Sequence, residues 1–424
     1  MVPPIRTGTG TPITRVGPQR TYVFYKDGME TYVIRPGFRG EVEEFGMLIP
    51  FPSPPALRKV SDAIFGHLAA AIEPPEVELW VGASLGGIGS LGSTMGMGSG
   101  MAGAKGEAGL AYNEVKVLHQ EAVGMYEVAT LAAGSAEALN RWMDEHGFKY
   151  PTGMDGVCND YIKLGWVFVA EKTKVGSKVN SDPKAGMRKV NPSLPRGANF
   201  NGYVQAMGFR YKVDKPSVPM RLSPFNEGEK RQIVYYLGEQ PVRFDGVETE
   251  LVKRQVPGWR LYQNITQLLP LRVVGGPLSK VTGTMLEEIK ARRAPKPHNG
   301  EARALFASDL LALKTGKLSL ETEEKEKELL RIGEALNLRG PQIDALHEAH
   351  LDAERDASAE RALGHLEAMT ITVIDGNFPI ELMKQKDLTV SRYAMPTAGN
   401  NRVGYDAKLD RPGSEPEGIR WSAP

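Results

Sequence analysis

The chain has 424 residues, 41% of them hydrophobic and 24% charged, which is the composition of a globular protein and the length of about two domains, because single cores rarely grow past about 250–300 residues. Its 52 basic and 51 acidic residues leave a net charge of +1, which excludes a global field drawing it to nucleic acid or to an anionic membrane. No apolar run reaches the roughly 18 residues of a membrane-spanning helix, and Cys158 is the only cysteine, which excludes an internal disulfide.

Residues 1–20 are rich in Pro, Gly and Thr, lack periodicity, and read as an extended arm. No apolar signal-peptide core follows Met1, which is the pattern of a cytosolic chain or of a mature one numbered after processing. Thr21–Lys26 and Met29–Arg35 flank Asp27-Gly28, the preferred dipeptide of a type I′ hairpin turn. Residues 45–51 (FGMLIPF) form a further apolar strand, stopped by Pro50, Pro52, Pro54 and Pro55. Residues 57–72 carry Val60, Ile64, Phe65 and Leu68 at helical spacing, and Val77–Val81 reads as a strand. Residues 82–106 then form an insertion with ten glycines in twenty-five residues.

Val115–Lys172 reads strand, strand, helix, helix, strand. Val115, Val117, Tyr126, Val128 and Thr130 alternate with polar or small residues, and Ser135 is placed to cap a helix carrying Ala138, Leu139, Trp142 and Met143 on one face. Gly147 is placed to close that helix. A second helix over residues 157–164 stops at Gly165, before the apolar run Trp166–Ala170. Residues 173–202 are a polar, basic loop, and residues 203–275 return to strand-like runs punctuated by Gly246 and Gly258. Residues 284–370 are dense in charge and helical in pattern, with Ser319 and Gly340-Pro341 marking a helical hairpin. Met369–Ile374 is an apolar strand suited to return to the first sheet, and residues 394–424 lack periodicity. The expected fold class is α+β: a largely antiparallel sheet core with packed helices, a C-terminal helical hairpin region and extended terminal arms. The core spans residues 21–276, the charged helical region 284–370, a returning strand and helix 371–393, and the C-terminal arm 394–424.

One pattern runs through Gly40, Glu44–Pro52, Gly124–Ala129, Leu139, Trp142, Gly147, Tyr161, Gly165, Phe168-Val169 and Pro219–Ser223. It resembles a bacterial family known only as domain-of-unknown-function family 2330, over roughly residues 20–275. The resemblance implies a fold-sized unit and an address outside the cytoplasm, since members are mostly predicted secreted or envelope proteins; a cytoplasmic address is the alternative. It supplies no catalytic residues. Relatives usually carry cysteines that this chain lacks.

Three chemical readings compete in the glycine-rich insertion. Gly82-Ala83-Ser84-Leu85-Gly86 has the nucleophile-elbow spacing, which would make Ser84 a serine-hydrolase nucleophile served by Asp155 or Asp160 and by His298 or His347. An elbow belongs to a parallel sheet and leads into a helix, whereas this one follows an antiparallel hairpin and precedes a run of glycine. Gly87, Gly89 and Gly92 match a phosphate-cradling spacing that so glycine-rich a segment meets almost unavoidably. Met95, Met97 and Met101 offer thioethers to a soft metal, but methionine also fills packed interfaces. Downstream, His347, His350 and Glu354 share a helical face that could approach a metal, but two histidines without a third strong ligand read as surface groups, and His347-Glu348 departs from the zinc-protease spacing. Cys158 lies near a helix start and reads as a small buried residue. No cofactor is implied. The expectation is a non-enzymatic structural subunit of a large bacterial assembly, outside the cytoplasm, self-associating through its arms and the 82–106 insertion. The alternatives are the Ser84 hydrolase and a periplasmic or surface binding module using the 173–202 loop for an anionic ligand.

Overall fold

The computed structural model describes residues 14–41, 44–80, 114–123, 126–146, 150–174, 199–203, 205–226, 228, 230–274, 283–318, 357–358, 360–395 and 419–422. The chain opens with β1 (Thr14–Arg15), β2 (Gln19–Lys26), β3 (Met29–Arg35), β4 (Gly37–Glu41), β5 (Glu44–Phe51), β6 (Ala56–Lys59), α1 (Ile64–Ile72) and β7 (Val77–Trp80). There follow β8 (Val115–Val123), β9 (Tyr126–Ala133), α2 (Ala136–Glu145), α3 (Asp155–Lys163), β10 (Val167–Lys174), β11 (Asn199–Tyr203), β12 (Met207–Lys212), β13 (Ser217–Val218), β14 (Arg231–Gly238) and β15 (Val242–Phe244). The remainder holds β16 (Val252–Pro257), α4 (Gly258–Thr266), β17 (Leu271–Val274), α5 (Gly283–Arg292), α6 (Lys296–Thr315), β18 (Thr370–Asn377), α7 (Ile380–Gln385), β19 (Leu388–Arg392) and β20 (Ile419–Ser422). The fold is α+β, and most of its strand pairs are antiparallel.

The contacts divide the chain into two compact units, the first made of residues 1–62, 95–255 and 372–403, the second of residues 63–94, 256–371 and 404–424. The single core expected over 21–276 is thus interrupted, because residues 63–80 and 256–274 fold with the helices of the second unit.

In the first unit the β2–β3 hairpin seeds a seven-stranded sheet of order β16-β18-β14-β2-β3-β12-β6. Asp27 (φ +49°) and Gly28 (φ +76°) both sit in the left-handed region, as a type I′ turn demands. β14 joins β2 in parallel, which places a long connection between them. β5-β10-β9-β8 form a second, wholly antiparallel sheet. The period-2 alternation decides what each face meets. Met47, Ile49, Phe51, Val128, Val167 and Val169 pack with Val23, Tyr32, Phe209, Tyr211 and Val234 of the larger sheet. Leu48, Leu131, Phe168 and Ala170 pack instead with Leu139 and Met143 of α2 and Cys158 and Tyr161 of α3. The smaller sheet is therefore the middle layer of three. Phe51 anchors the sheet pair, its ring 4.7 Å from Phe209 and 5.1 Å from Tyr211. Ser135 caps α2 as read from sequence, its hydroxyl accepting the Ala138 N–H at 3.1 Å, an interaction that contributes about 1 kcal/mol.

Three expectations change. Residues 57–59 belong to strand β6 rather than to a helix, because their backbone groups pair with β12, and the helix begins only at Ile64. Strand begins at Thr14 within the expected N-terminal arm, with Arg15, Gln19 and Arg20 buried. Within the expected C-terminal arm, Ile419–Ser422 is strand β20.

In the second unit β7 is the central strand of an all-parallel sheet, flanked by β17 and β20, with Met285 and Ile289 of α5 packed on Leu79. The Asn264 side chain of α4 donates to Ala71 O at 2.8 Å, and Asn299 of α6 donates to Asn264 O at 3.0 Å, tying α1, α4 and α6 together. Gly258 opens α4 where a Cβ would lie 1.7 Å from the Leu366 carbonyl oxygen, so only glycine admits the 3-10 turn at Gly364–Ala368. The helical hairpin expected after Ser319 lies outside the described residues, as does Gly147.

Candidate functional site

The chemistry-bearing groups of the first unit lie inside it, on strands whose pattern is otherwise apolar. Glu30 shares its face of β3 with Tyr32 and Ile34, and its direct cross-strand partners are Tyr25 on β2 and Tyr211 on β12. The residue is fully buried, and its Oε2 accepts the Ser217 N–H at 3.2 Å. Burial pushes the carboxyl up to about 8, while the Tyr211 hydroxyl and the Ser217 N–H pull it back towards the charged form.

Glu171 faces the same space from the opposite sheet. It continues the inward series Val167, Val169 on β10, and pairs in register with Met47 and Val128. It too is fully buried, and neither carboxylate oxygen has a hydrogen-bond partner among the described residues. Burial alone pushes it up to about 8. Tyr126 is the titratable neighbour; burial and then Glu171 drive its phenol well above the usual range, and its hydroxyl donates to Gln205 O at 3.4 Å. The Arg35–Asp62 pair, 3.8 Å apart, acts on Tyr126 in turn. Burial thus favours the neutral acid in both glutamates near neutral pH.

A third polar group ties α3 to the connection between α7 and β19. Asp387 Oδ1 accepts the Tyr161 hydroxyl at 2.5 Å and the Met220 N–H at 2.9 Å. Arg221 donates to Asp160 Oδ2 at 2.6 Å and lies 5.6 Å above the Tyr161 ring. Burial raises the Asp387 carboxyl, against the pull of the Tyr161 hydroxyl and of the Met220 and Arg221 backbone N–H groups.

Cys158, on α3, is buried as read from sequence, and burial pushes its thiol up to about 12, so it is no nucleophile near neutral pH. In the second unit burial, aided by His298, lowers His67, whose Nδ1 accepts the Glu301 N–H at 3.1 Å and is thus unprotonated.

The second unit also carries two surface grooves. One, of about 280 Å³, runs along α4 and is lined by Pro74, Trp259, Arg260, Gln263, Gln267 and Pro270 among others. The other, of about 270 Å³, is lined mainly by Leu79, Leu268, Leu271, Leu286 and Ile289. Among the described residues no group of three or more His, Cys, Asp or Glu side chains is arranged to hold a metal, and no helix is long and apolar enough to cross a membrane.

Ser84, Met95, Met97, Met101, His347 and His350 all lie outside the described residues, as does most of the 173–202 loop. Of the acids and bases considered for Ser84, Asp155 and Asp160 lie on α3 of the first unit and His298 on α6 of the second. The strand that precedes Ser84 is central in a parallel sheet, which corrects the antiparallel setting expected for it. Sequence reading passed over Glu30, Glu171 and Asp387. Glu30 and Glu171 left one signal, a carboxylate standing at an inward position of an otherwise apolar alternation.

Among known proteins, no curated protein and no solved structure matches this chain. The family described as "Uncharacterized protein conserved in bacteria (DUF2330)" matches residues 11–255, more than half of the chain and most of the first unit. The chain belongs to the DUF2330 family of bacterial proteins.

Proposed function

We propose that the protein is a non-catalytic structural subunit of a larger bacterial assembly outside the cytoplasm, and that it meets further copies of itself through the apolar groove of its second unit. The observation that carries this reading is the exposure of Leu268 (43%) and Leu286 (56%) around that groove. Both leucines border a groove lined by Leu79, Leu271 and Ile289, a continuous apolar surface of the kind that subunit contacts cover. Covering it removes about 25 cal/mol for each Å² of apolar area taken from water. The extracytoplasmic address rests on the family resemblance. Native mass measurement is expected to find particles at multiples of 46.3 kDa, and Leu286→Glu is expected to reduce them to the single chain. A wild-type particle at the single-chain mass would remove self-assembly.

A second reading is favoured by one observation: β7 leads out of the centre of a parallel sheet towards Gly82-Ala83-Ser84, the setting a nucleophile elbow uses. Under the structural reading a fluorophosphonate probe leaves the protein unlabelled. Labelling that disappears in Ser84→Ala would make the protein a serine hydrolase instead.

A further inference from the structure

The groove along α4 differs in chemistry from its apolar neighbour. α4 buries Gly258, Leu261 and Ile265, which turns Trp259, Arg260 and Gln263 outwards. Trp259 is 50% exposed, and Gln263 and Gln267 follow it at intervals of one helical turn, both exposed. The groove around this half-exposed indole combines the polar Arg260, Gln263 and Gln267 with the apolar Pro74, Leu268 and Pro270.

The walls are held before any ligand arrives. On one side Asn264 donates to both Ala71 O and Ile72 O, at 2.8 and 3.3 Å, fixing the helix. On the other, Leu269 and Arg293 are joined twice, Leu269 N–H to Arg293 O at 2.8 Å and Arg293 Nε to Leu269 O at 2.6 Å. The Val77 N–H donates to Pro270 O at 2.8 Å, which ties the same wall to β7. A pre-formed, shallow groove loses little conformational entropy on binding.

We propose that this groove binds a saccharide chain, one sugar ring stacking on Trp259 and its hydroxyls meeting Gln263, Gln267 and Arg260. A sugar ring has a face of C–H groups and a rim of hydroxyls that donate and accept together. The indole offers a flat apolar surface to the first. Primary amides donate and accept as the second requires, and the guanidinium fork takes a vicinal hydroxyl pair or a carboxylate. Pro74, Leu268 and Pro270 add apolar edge for the C–H face, and the amides and guanidinium supply the polar partners that a hydroxyl rim requires. The two grooves share Leu268 as a wall, so Leu286→Glu protein, changed only outside the α4 groove, serves to test binding without competition from assembly.

Isothermal titration of that protein with cellohexaose, chitohexaose and an oligogalacturonate tests the groove. Saturable binding of at least one is expected; Trp259→Ala is expected to weaken it by tenfold or more, and Trp259→Phe by much less. Preference for the oligogalacturonate, lost in Arg260→Gln, identifies an acidic saccharide; binding of the neutral chains, weakened in Gln263→Ala, identifies a neutral one. Unchanged thermal unfolding of Trp259→Ala shows that the loss is one of binding. Absence of saturable binding to all three at millimolar concentration, or binding indifferent to Trp259→Ala, overturns the proposal.

Discussion

Replacing Glu171 with glutamine is expected to flatten the pH dependence of stability, raising it more at pH 8.5 than at pH 5.5 by about 3–4 kcal/mol. The sign follows from the direction of the shift. Glu171 titrates near the ordinary 4.5 when unfolded and near 8 when folded, so the folded state holds its proton more tightly. That preference stabilises the fold fully below about pH 4.5 and is lost progressively as pH rises to about 8. Above that point the fold must either bury a carboxylate that has no hydrogen-bond partner among the described residues or open. Glutamine keeps the shape and cannot ionise, so the variant escapes the alkaline loss. Its own amide is buried without partners, which lowers stability equally at both pH values and drops out of the comparison. Urea unfolding at the two pH values provides the measurement, and equal effects at both would show that Glu171 reaches water in the folded protein. Glu30 carries a shift to the same value, and Glu30→Gln should act in the same direction.

Asp387→Ala is expected to destabilise the protein by about 3–5 kcal/mol. The carboxylate is the shared acceptor of the Tyr161 hydroxyl and the Met220 N–H, and its removal leaves both donors inside the protein with nothing to bond. Orphaned buried donors cost about 1–3 kcal/mol each. The Arg221 side chain remains held by Asp160, while its backbone N–H, 3.5 Å from Asp387 Oδ1, loses its weaker bond as well. Asp387→Asn keeps an acceptor oxygen and is expected to cost less than half as much. The Tyr161 ring lies 4.9 Å from Trp166, so the near-ultraviolet circular dichroism of that pair should change in Asp387→Ala while the far-ultraviolet spectrum holds. An alanine variant as stable as the asparagine one would show that water, not Asp387, satisfies these donors.

Much of the first unit was legible in the sequence because its signals are local. Asp27-Gly28 specifies a hairpin whatever surrounds it, since both residues must reach the left-handed region. The Ser135 cap and the stop at Gly165 (φ +75°) likewise act within a few residues of themselves. Residues 57–59 misled because their apolar spacing fitted a helix, while the free edge of β12, some 150 residues away, took their backbone groups. The buried acids went unread for a related reason. Motif spacing drew the reading to Ser84 and to the methionines. The groups with altered chemistry are lone acidic residues, and their burial depends on distant strands.

The sequence by itself determined the class of the fold, the hairpin, the order of elements over residues 115–172 and the family resemblance, all properties of local periodicity and turn geometry. Tertiary structure alone decided that Glu30 and Glu171 face one another's sheets inside a shared core. It also decided that residues 63–80, 256–274 and 419–422 leave the main sheet to build a second unit, and that β7 is parallel to both its neighbours. The physical reason is the same for each. Strand partners and burial are set by pairings between residues far apart in the chain, and an alternating pattern states that one face is buried without stating what covers it.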